Sequence, residues 1–97
     1  MDSFTLFLAL RPEQALDDDA VGTLGPDLRP GDDELRVWRE EGRGLLRVST
    51  ECSAEDLDAA LELAHALGAE AVARCPGTLL EVSALGDEDS LVWRAVP

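Results

Sequence analysis

The chain has 97 residues, 21 of them Asp or Glu and 8 Lys or Arg, so its formal net charge is -13 at pH 7. This charge excludes a general nucleic-acid-binding protein, because phosphate binding requires a positive surface. The hydrophobic fraction of 45% is typical of a folded protein, and the length predicts a single domain over residues 1–97, which the order of its predicted strands and helices assigns to the α+β class.

The first predicted element is a strand over Ser3–Arg11, in which Phe4, Leu6, Leu8 and Leu10 share one side and should be buried. A short, acid-rich helix follows, with Asp17 as its N-cap residue. Gly22 and Gly25 limit the predicted length of this helix, and Pro26 follows closely. The residues from 27 to 34 are predicted to form a loop, because Pro, Gly and Asp dominate them.

Leu35–Glu40 and Leu45–Thr50 flank a glycine-containing turn and predict a β-hairpin. Ser53 is the predicted N-cap residue of an amphipathic helix, whose apolar residues recur at helical spacing. The pattern favours continuation of this helix to Arg74 over an end at Gly68.

Thr78–Leu85 and Ser90–Val96 predict a second hairpin. The resulting order of strands and helices predicts a ferredoxin-like (split βαβ) antiparallel sheet, with two helices on one face and an extra C-terminal strand. The predicted strand order is 4-1-3-2, with the extra strand beside strand 4. This fold hosts many unrelated functions and therefore implies no activity.

Two helices can cover one face of such a sheet, so the alternation along each strand predicts which side chains stay uncovered. Leu80 is assigned to the helix side, Arg94 and Val92 to the uncovered side and Trp93 to the helix side. The predicted interaction residues on the uncovered face are Phe7, Arg36, Trp38, Leu45, Arg47 and Leu79. An apolar face with these Trp and Arg residues is typical of a protein-binding surface.

Few residues suggest a catalytic or metal-binding site. His65 is the single histidine, and a contact with Glu62 is a simpler role for it than catalysis. Cys52 and Cys75, with one histidine, fall short of a zinc site. We therefore predict no catalytic residue, no metal site, no cofactor and no disulfide. The N-terminal segment has a short apolar run, an acidic residue where a signal peptide is positive and no small-residue cleavage site, so we expect a cytoplasmic protein. The absence of Lys, Ile, Asn and Tyr indicates a GC-rich, bacterial genome.

These features predict a small acidic, non-enzymatic protein–protein interaction module that associates through its uncovered sheet face and its Arg-bearing hairpin. The expected partner is a second copy of the chain, another protein or both, and neither nucleic acid nor membrane. The alternative is an acidic inhibitor of a basic target, such as an immunity protein, an antitoxin or a nucleic-acid mimic. A third hypothesis is a cofactor-free enzyme in a dimeric α+β barrel, which would need a pocket with perturbed titratable groups.

Overall fold

The computed structural model describes residues 2–32, 34–40 and 42–95. Its elements are β1 (Asp2–Pro12), α1 (Asp18–Leu28), β2 (Arg36–Glu40), β3 (Leu45–Ala54), α2 (Leu57–Arg74), β4 (Gly77–Leu85) and β5 (Ser90–Arg94). The predicted α+β class, with one five-stranded sheet and two helices, is confirmed. Neither helix in these ranges is long and apolar enough to cross a membrane.

The five strands lie in the order β2-β3-β1-β4-β5, and every neighbouring pair is antiparallel. β1 is therefore the central strand, as its near-continuous apolar sequence predicts. Both helices pack against the same face of the sheet, which holds the buried core. We call the opposite face, which neither helix covers, the open face.

The core forms because β1 alternates and α2 presents small residues to it. Leu8 and Leu10 of β1 are 1% and 0% exposed, and they pack with residues of β3, β4 and both helices. Ala60, Ala64 and Ala71 of α2 are fully buried, so the helix backbone lies close to the sheet. Burying each large apolar side chain stabilises the fold by about 1.5–3 kcal/mol.

The prediction that glycines and a proline shorten the first helix is wrong. α1 begins after its predicted N-cap residue Asp17, whose side chain accepts a 2.8 Å hydrogen bond from the Ala20 backbone N–H. The helix then continues through Pro26 to Leu28. Leu24 and Leu28 are buried against the core, and this burial outweighs the weak helix propensity of the segment.

The predicted start of the second helix at Ser53 is also wrong. Residues 51–54 extend β3, because they pair with the N-terminal half of β1, as far as Asp2 opposite Ala54. Asp56 is the N-cap residue instead, and its side chain accepts a 2.8 Å hydrogen bond from the Ala59 backbone N–H. The continuation of the helix to Arg74 is confirmed.

A β-bulge changes the predicted facing of the first half of β4. Ala9 pairs with Glu81 and Leu10 with Leu79, so Leu80 is an extra residue opposite β1. The two residues that precede Glu81 are therefore out of step with the alternation that the sequence predicts. Leu79 packs against the core beside Gly68 of α2. Its predicted position on the open face is wrong, as is the simple helix-side register of Leu80.

Candidate interaction face

Strand register arranges the open face in rows that cross the sheet. One row runs through Trp38, Arg47, Ala9, Glu81 and Arg94 from β2 to β5. The adjacent row runs through Arg36, Ser49, Phe7, Ser83 and Val92. In the second row serines alternate with the larger residues, and in the first row Ala9 alone separates the two halves, so the face has raised and recessed positions.

Large apolar side chains on the open face remain in contact with water. Phe7 is 36% exposed, Trp38 42% and Val92 50%. Phe7 lies on the central strand, whereas Trp38 and Val92 lie on the two edge strands. Exposed apolar side chains are therefore present on the central strand and on both edge strands, with serines and charged residues between them.

Ion pairs hold the charged side chains of this face next to their own neighbours. Arg47 Nη2 lies 2.8 Å from Glu40 Oε2, and Arg43 Nη1 lies 3.3 Å from Glu40 Oε1. The hydrogen bond from Arg47 lowers the pKa of Glu40; desolvation opposes this shift, and the charges of Arg47 and Arg43 and a hydrogen bond from Arg43 add to it. Arg94 Nε lies 3.5 Å from Glu81 Oε2. Arg47 and Arg94 are thus directed at Glu40 and Glu81 of the same chain.

The open face differs in charge from the rest of the molecule. Within the described strands it carries four of the 8 basic residues, namely Arg11, Arg36, Arg47 and Arg94, and three of the 21 acidic residues, namely Glu40, Glu51 and Glu81. Its formal net charge is therefore +1, and the remainder of the chain carries -14. Contact through this face keeps most of the negative charge away from a partner.

The structure brings four of the six predicted interaction residues together in the two rows: Phe7, Arg36, Trp38 and Arg47. Leu45 has the expected register but is only 4% exposed, so it offers little surface. Leu79 lies on the helix side. The arginines of the Arg-bearing hairpin do not all lie on the open face. Arg39 donates to the Leu16 carbonyl and pairs with Asp18 at the start of α1. Glu41, the first residue of the predicted hairpin turn, lies outside the described residues.

No protein-family model matches the sequence. A search of curated proteins finds no significant relative. The residues and their geometry are therefore what bears on function.

His65 and Trp93 form a contact that the sequence analysis missed. Their ring centroids are 5.2 Å apart with an interplanar angle of 70°, an edge-to-face arrangement. The contact joins α2 to β5, and it confirms that Trp93 points to the helix side while Val92 and Arg94 point outward. The strand alternation predicted the side of Trp93, but nothing in the sequence matched that position to the phase of α2. Val96, the predicted end of this strand, lies outside the described residues.

The described residues do not assemble the elements of a catalytic or metal site. No group of three His, Cys, Asp or Glu side chains within these ranges could hold a metal ion. A cleft of about 430 Å³ lies between the end of β1, the segment before α1 and the β2–β3 turn. Its charged lining residues, Arg39 and Glu40, are already paired with Asp18 and Arg47. His65 lies across the sheet from Trp38 and Arg47, so these three do not converge.

Both thiols are free, as predicted, and their surroundings make them poor nucleophiles. Cys52 lies within β3 rather than next to a helix N-terminus, and Cys75 is buried at the end of α2. Burial raises the pKa of the Cys52 thiol and that of the Cys75 thiol. A smaller fraction of each is therefore thiolate at a given pH than in an ordinary cysteine.

We expect both thiols of the folded protein to react with a disulfide reagent at pH 8 more slowly than a small free thiol. In denaturant without reductant, titration should then find two thiols per chain. Because the raised pKa values disfavour thiolate only in the folded state, stability should decline as pH rises above about 9. If titration found no thiol in a protein of monomeric mass, Cys52 and Cys75 would be joined by a disulfide, which would contradict the prediction that both thiols are free.

Proposed function

We propose that this protein is a small, non-enzymatic interaction module that binds a protein through the open face of its sheet. Arg36 and Arg47 of the β2–β3 hairpin contribute to the contact. The partner is a second copy of this chain or another protein, and no nucleic acid, membrane or cofactor takes part. The observation that carries the proposal is an uncovered apolar sheet face with a net charge of +1 on a chain of -13.

Energetics support binding at this face. Phe7 and Val92 are 36% and 50% exposed, so burying what remains of each stabilises a complex by about 0.5–1.5 kcal/mol, and several such residues on both copies together offset the cost of association. Trp and Arg, represented by Trp38 and Arg47, are enriched among the residues that dominate binding energy. The pairing of Arg47 with Glu40 also restricts the Arg47 side chain before binding, which reduces the entropy lost on association.

We further propose a ferredoxin-like topology for the chain. The strand order β2-β3-β1-β4-β5 supports this assignment, because the first four strands, read from β4, follow the order 4-1-3-2 and β5 lies beside β4. The two free thiols support a cytoplasmic location, and the amino-acid composition supports a bacterial origin. None of these assignments alters the interaction proposed for the open face.

Site-specific photo-crosslinking in cells that express the protein tests the proposal. A photoreactive residue at position 92 should form discrete adducts with a protein, because Val92 lies on the open face and is 50% exposed. The matched control is position 63, since Leu63 is also apolar and is 46% exposed, but lies on α2. The open-face probe should give at least tenfold more adduct than the control.

Equal adducts at positions 92 and 63 would contradict a specific role of the open face. Absence of adducts at position 92, with the variant folded and expressed, would contradict the proposal as a whole. The mass of the adduct separates a second copy of the chain from another protein.

The position of the acidic residues favours one second candidate, an acidic inhibitor of a basic target. The acidic residues are concentrated on helices and loops. The part of the chain outside the open face carries a formal net charge of -14. Such an inhibitor would contact its target through the helical layer, and its association rate would fall steeply with salt. Contact through the open face should instead withstand moderate salt, because screening reduces repulsion between acidic helical layers.

A further inference from the structure

The pattern of side chains on the open face bears on the identity of its occupant. We infer that the occupant is a second copy of this chain, packed face to face about a two-fold axis parallel to β1. This inference rests on the proposed function, because it names the partner of the same face. It adds the orientation of the two copies and the pairs of residues that meet.

The central position of β1 makes the geometry simple. Consider a two-fold axis that is parallel to β1, lies midway between two facing sheets and passes directly over β1. It places β1 opposite β1 of the partner subunit. The same rotation places β3 opposite β4 of the partner subunit, and β2 opposite β5 of the partner subunit. Facing sheets cross at about 30°, so residues near the central strand stay closest to these positions.

This rotation matches opposite charges. In the row that contains Ala9, Arg47 lies one strand to one side and Glu81 one strand to the other side. The rotation therefore puts Arg47 opposite the partner's Glu81, and it does so twice in the dimer. Trp38 falls opposite the partner's Arg94, which is a cation–π arrangement.

The adjacent row is complementary in shape. Phe7 lies on the central strand, between Ser49 on β3 and Ser83 on β4. The rotation brings Phe7 against the partner's Phe7, and the small serines on each side leave space for the two rings to pack with an offset. Val92 and Arg36 end this row on opposite edge strands, so the rotation places Val92 opposite the aliphatic part of the partner's Arg36.

The other simple two-fold arrangement is less favourable. An axis perpendicular to the strands places β3 on β3 of the partner subunit, and β4 on β4 of the partner subunit. With this axis at the row of Ala9, Arg47 would lie near the partner's Arg47 and Glu81 near the partner's Glu81; with the axis midway between the two rows, they would face serines and the opposite-charge pairs would be lost. In the first case like charges would meet on both strands, whereas the axis parallel to β1 pairs opposite charges.

The size of the face is sufficient for a specific dimer. Five strands spaced about 4.8 Å apart, with roughly six residues each, give a sheet face of about 24 by 20 Å. Two such faces bury on the order of 1,000 Å² in total, near the lower limit for a specific interface. In each copy the residues outside the open face carry a formal net charge of -14. They lie on the outer sides of this dimer, where salt screens their repulsion.

Complementary charge reversals test this arrangement, with size-exclusion chromatography and light scattering as the measurement. Wild type should be a dimer in moderate salt at a protein concentration of roughly 50–100 micromolar, which is well above a dissociation constant of about one micromolar. Arg47→Glu alone should weaken the dimer at least tenfold, because two like-charged pairs form with the partner's Glu81. Glu81→Arg alone should weaken it similarly, through two pairs with the partner's Arg47.

An equimolar mixture of the two variants should restore association, since the mixed dimer again holds only opposite-charge pairs. The double variant on one chain should also dimerise, which covers the case that one single variant fails to fold. Arg74→Glu and Glu62→Arg, both at exposed positions of α2, are controls with the same charge changes and should leave the dimer unchanged. Circular dichroism should show that every variant is folded.

A monomeric wild type under these conditions would overturn the second-copy inference and would leave crosslinking at position 92 as the separate test of the proposed function. A dimer that neither single reversal weakens would place the contact on another surface. Two weakened single variants whose mixture stays monomeric, together with a monomeric double variant, would overturn the axis parallel to β1.

Discussion

Phe7→Glu is expected to convert the dimer into a folded monomer, with a loss of at least 100-fold in the dimer dissociation constant. In the proposed dimer the central strand, which carries Phe7, faces its own copy, so the substitution would remove two buried rings and set two carboxylates against each other. Losing burial of the exposed 36% of each ring costs about 0.5–1 kcal/mol, the two facing carboxylates add repulsion and desolvation, and each 1.4 kcal/mol is tenfold in affinity. Because Phe7 is 36% exposed in the single chain, folding should be affected much less.

Analytical ultracentrifugation at several protein concentrations measures this effect, and thermal unfolding reports the fold. Trp38→Glu should weaken the dimer less than Phe7→Glu, since the new carboxylate lies opposite the partner's Arg94. Leu63→Glu, which changes an exposed leucine on α2, should leave the dimer intact. The same dissociation constant for Phe7→Glu and wild type would remove Phe7 from the interface.

Gly77→Ala is expected to lower the free energy of unfolding by about 2–4 kcal/mol, in the upper part of the range for point substitutions. A Cβ at this position would lie 2.3 Å from the Arg11 carbonyl oxygen and 2.8 Å from the Pro12 Cα. Both atoms belong to the backbone of β1, so the clash can be relieved only by moving β1 and β4 apart. The hydrogen bond from the Glu13 N–H to the Pro76 carbonyl, 2.9 Å long, lies at the same junction.

Urea denaturation monitored by circular dichroism checks this expectation. Gly22→Ala is the matched control, because a Cβ there meets nothing within 4 Å and the residue lies in α1. Alanine has the higher helix propensity, so this control should stabilise the protein by about 0.5–1 kcal/mol. If Gly77→Ala were as stable as wild type, the close approach of β4 to β1 at this point would be wrong.

Sequence reasoning was most successful where neighbouring residues act on one another. The alternation over β1 predicted Leu8 and Leu10 as core residues, and Asp17 predicted the start of α1, because strand alternation and N-capping depend on nearby residues. The same alternation assigned Phe7, Trp38 and Arg47 to the open face. Each of these side chains lies on a strand without a bulge between it and the buried residues that define its phase.

Contacts between distant segments decided the remaining features. The extension of β3 to Ala54 depends on pairing with Asp2, and the extension of α1 through Pro26 depends on burial of Leu28. Leu79 turned to the helix side because a bulge lies opposite Ala9 and because Gly68 of α2 leaves space for it.

The sequence by itself therefore determined the α+β class, the central position of β1 and the phase of most strands, since these follow from local periodicity and caps. Only the tertiary structure decided the bulge, the lengths of β3 and α1, and the pairing of His65 with Trp93. It also decided the register that aligns Arg47 and Glu81 with Ala9 in one row. The physical reason is that each of these features depends on which strands are neighbours, and residues far apart in the chain make that choice together.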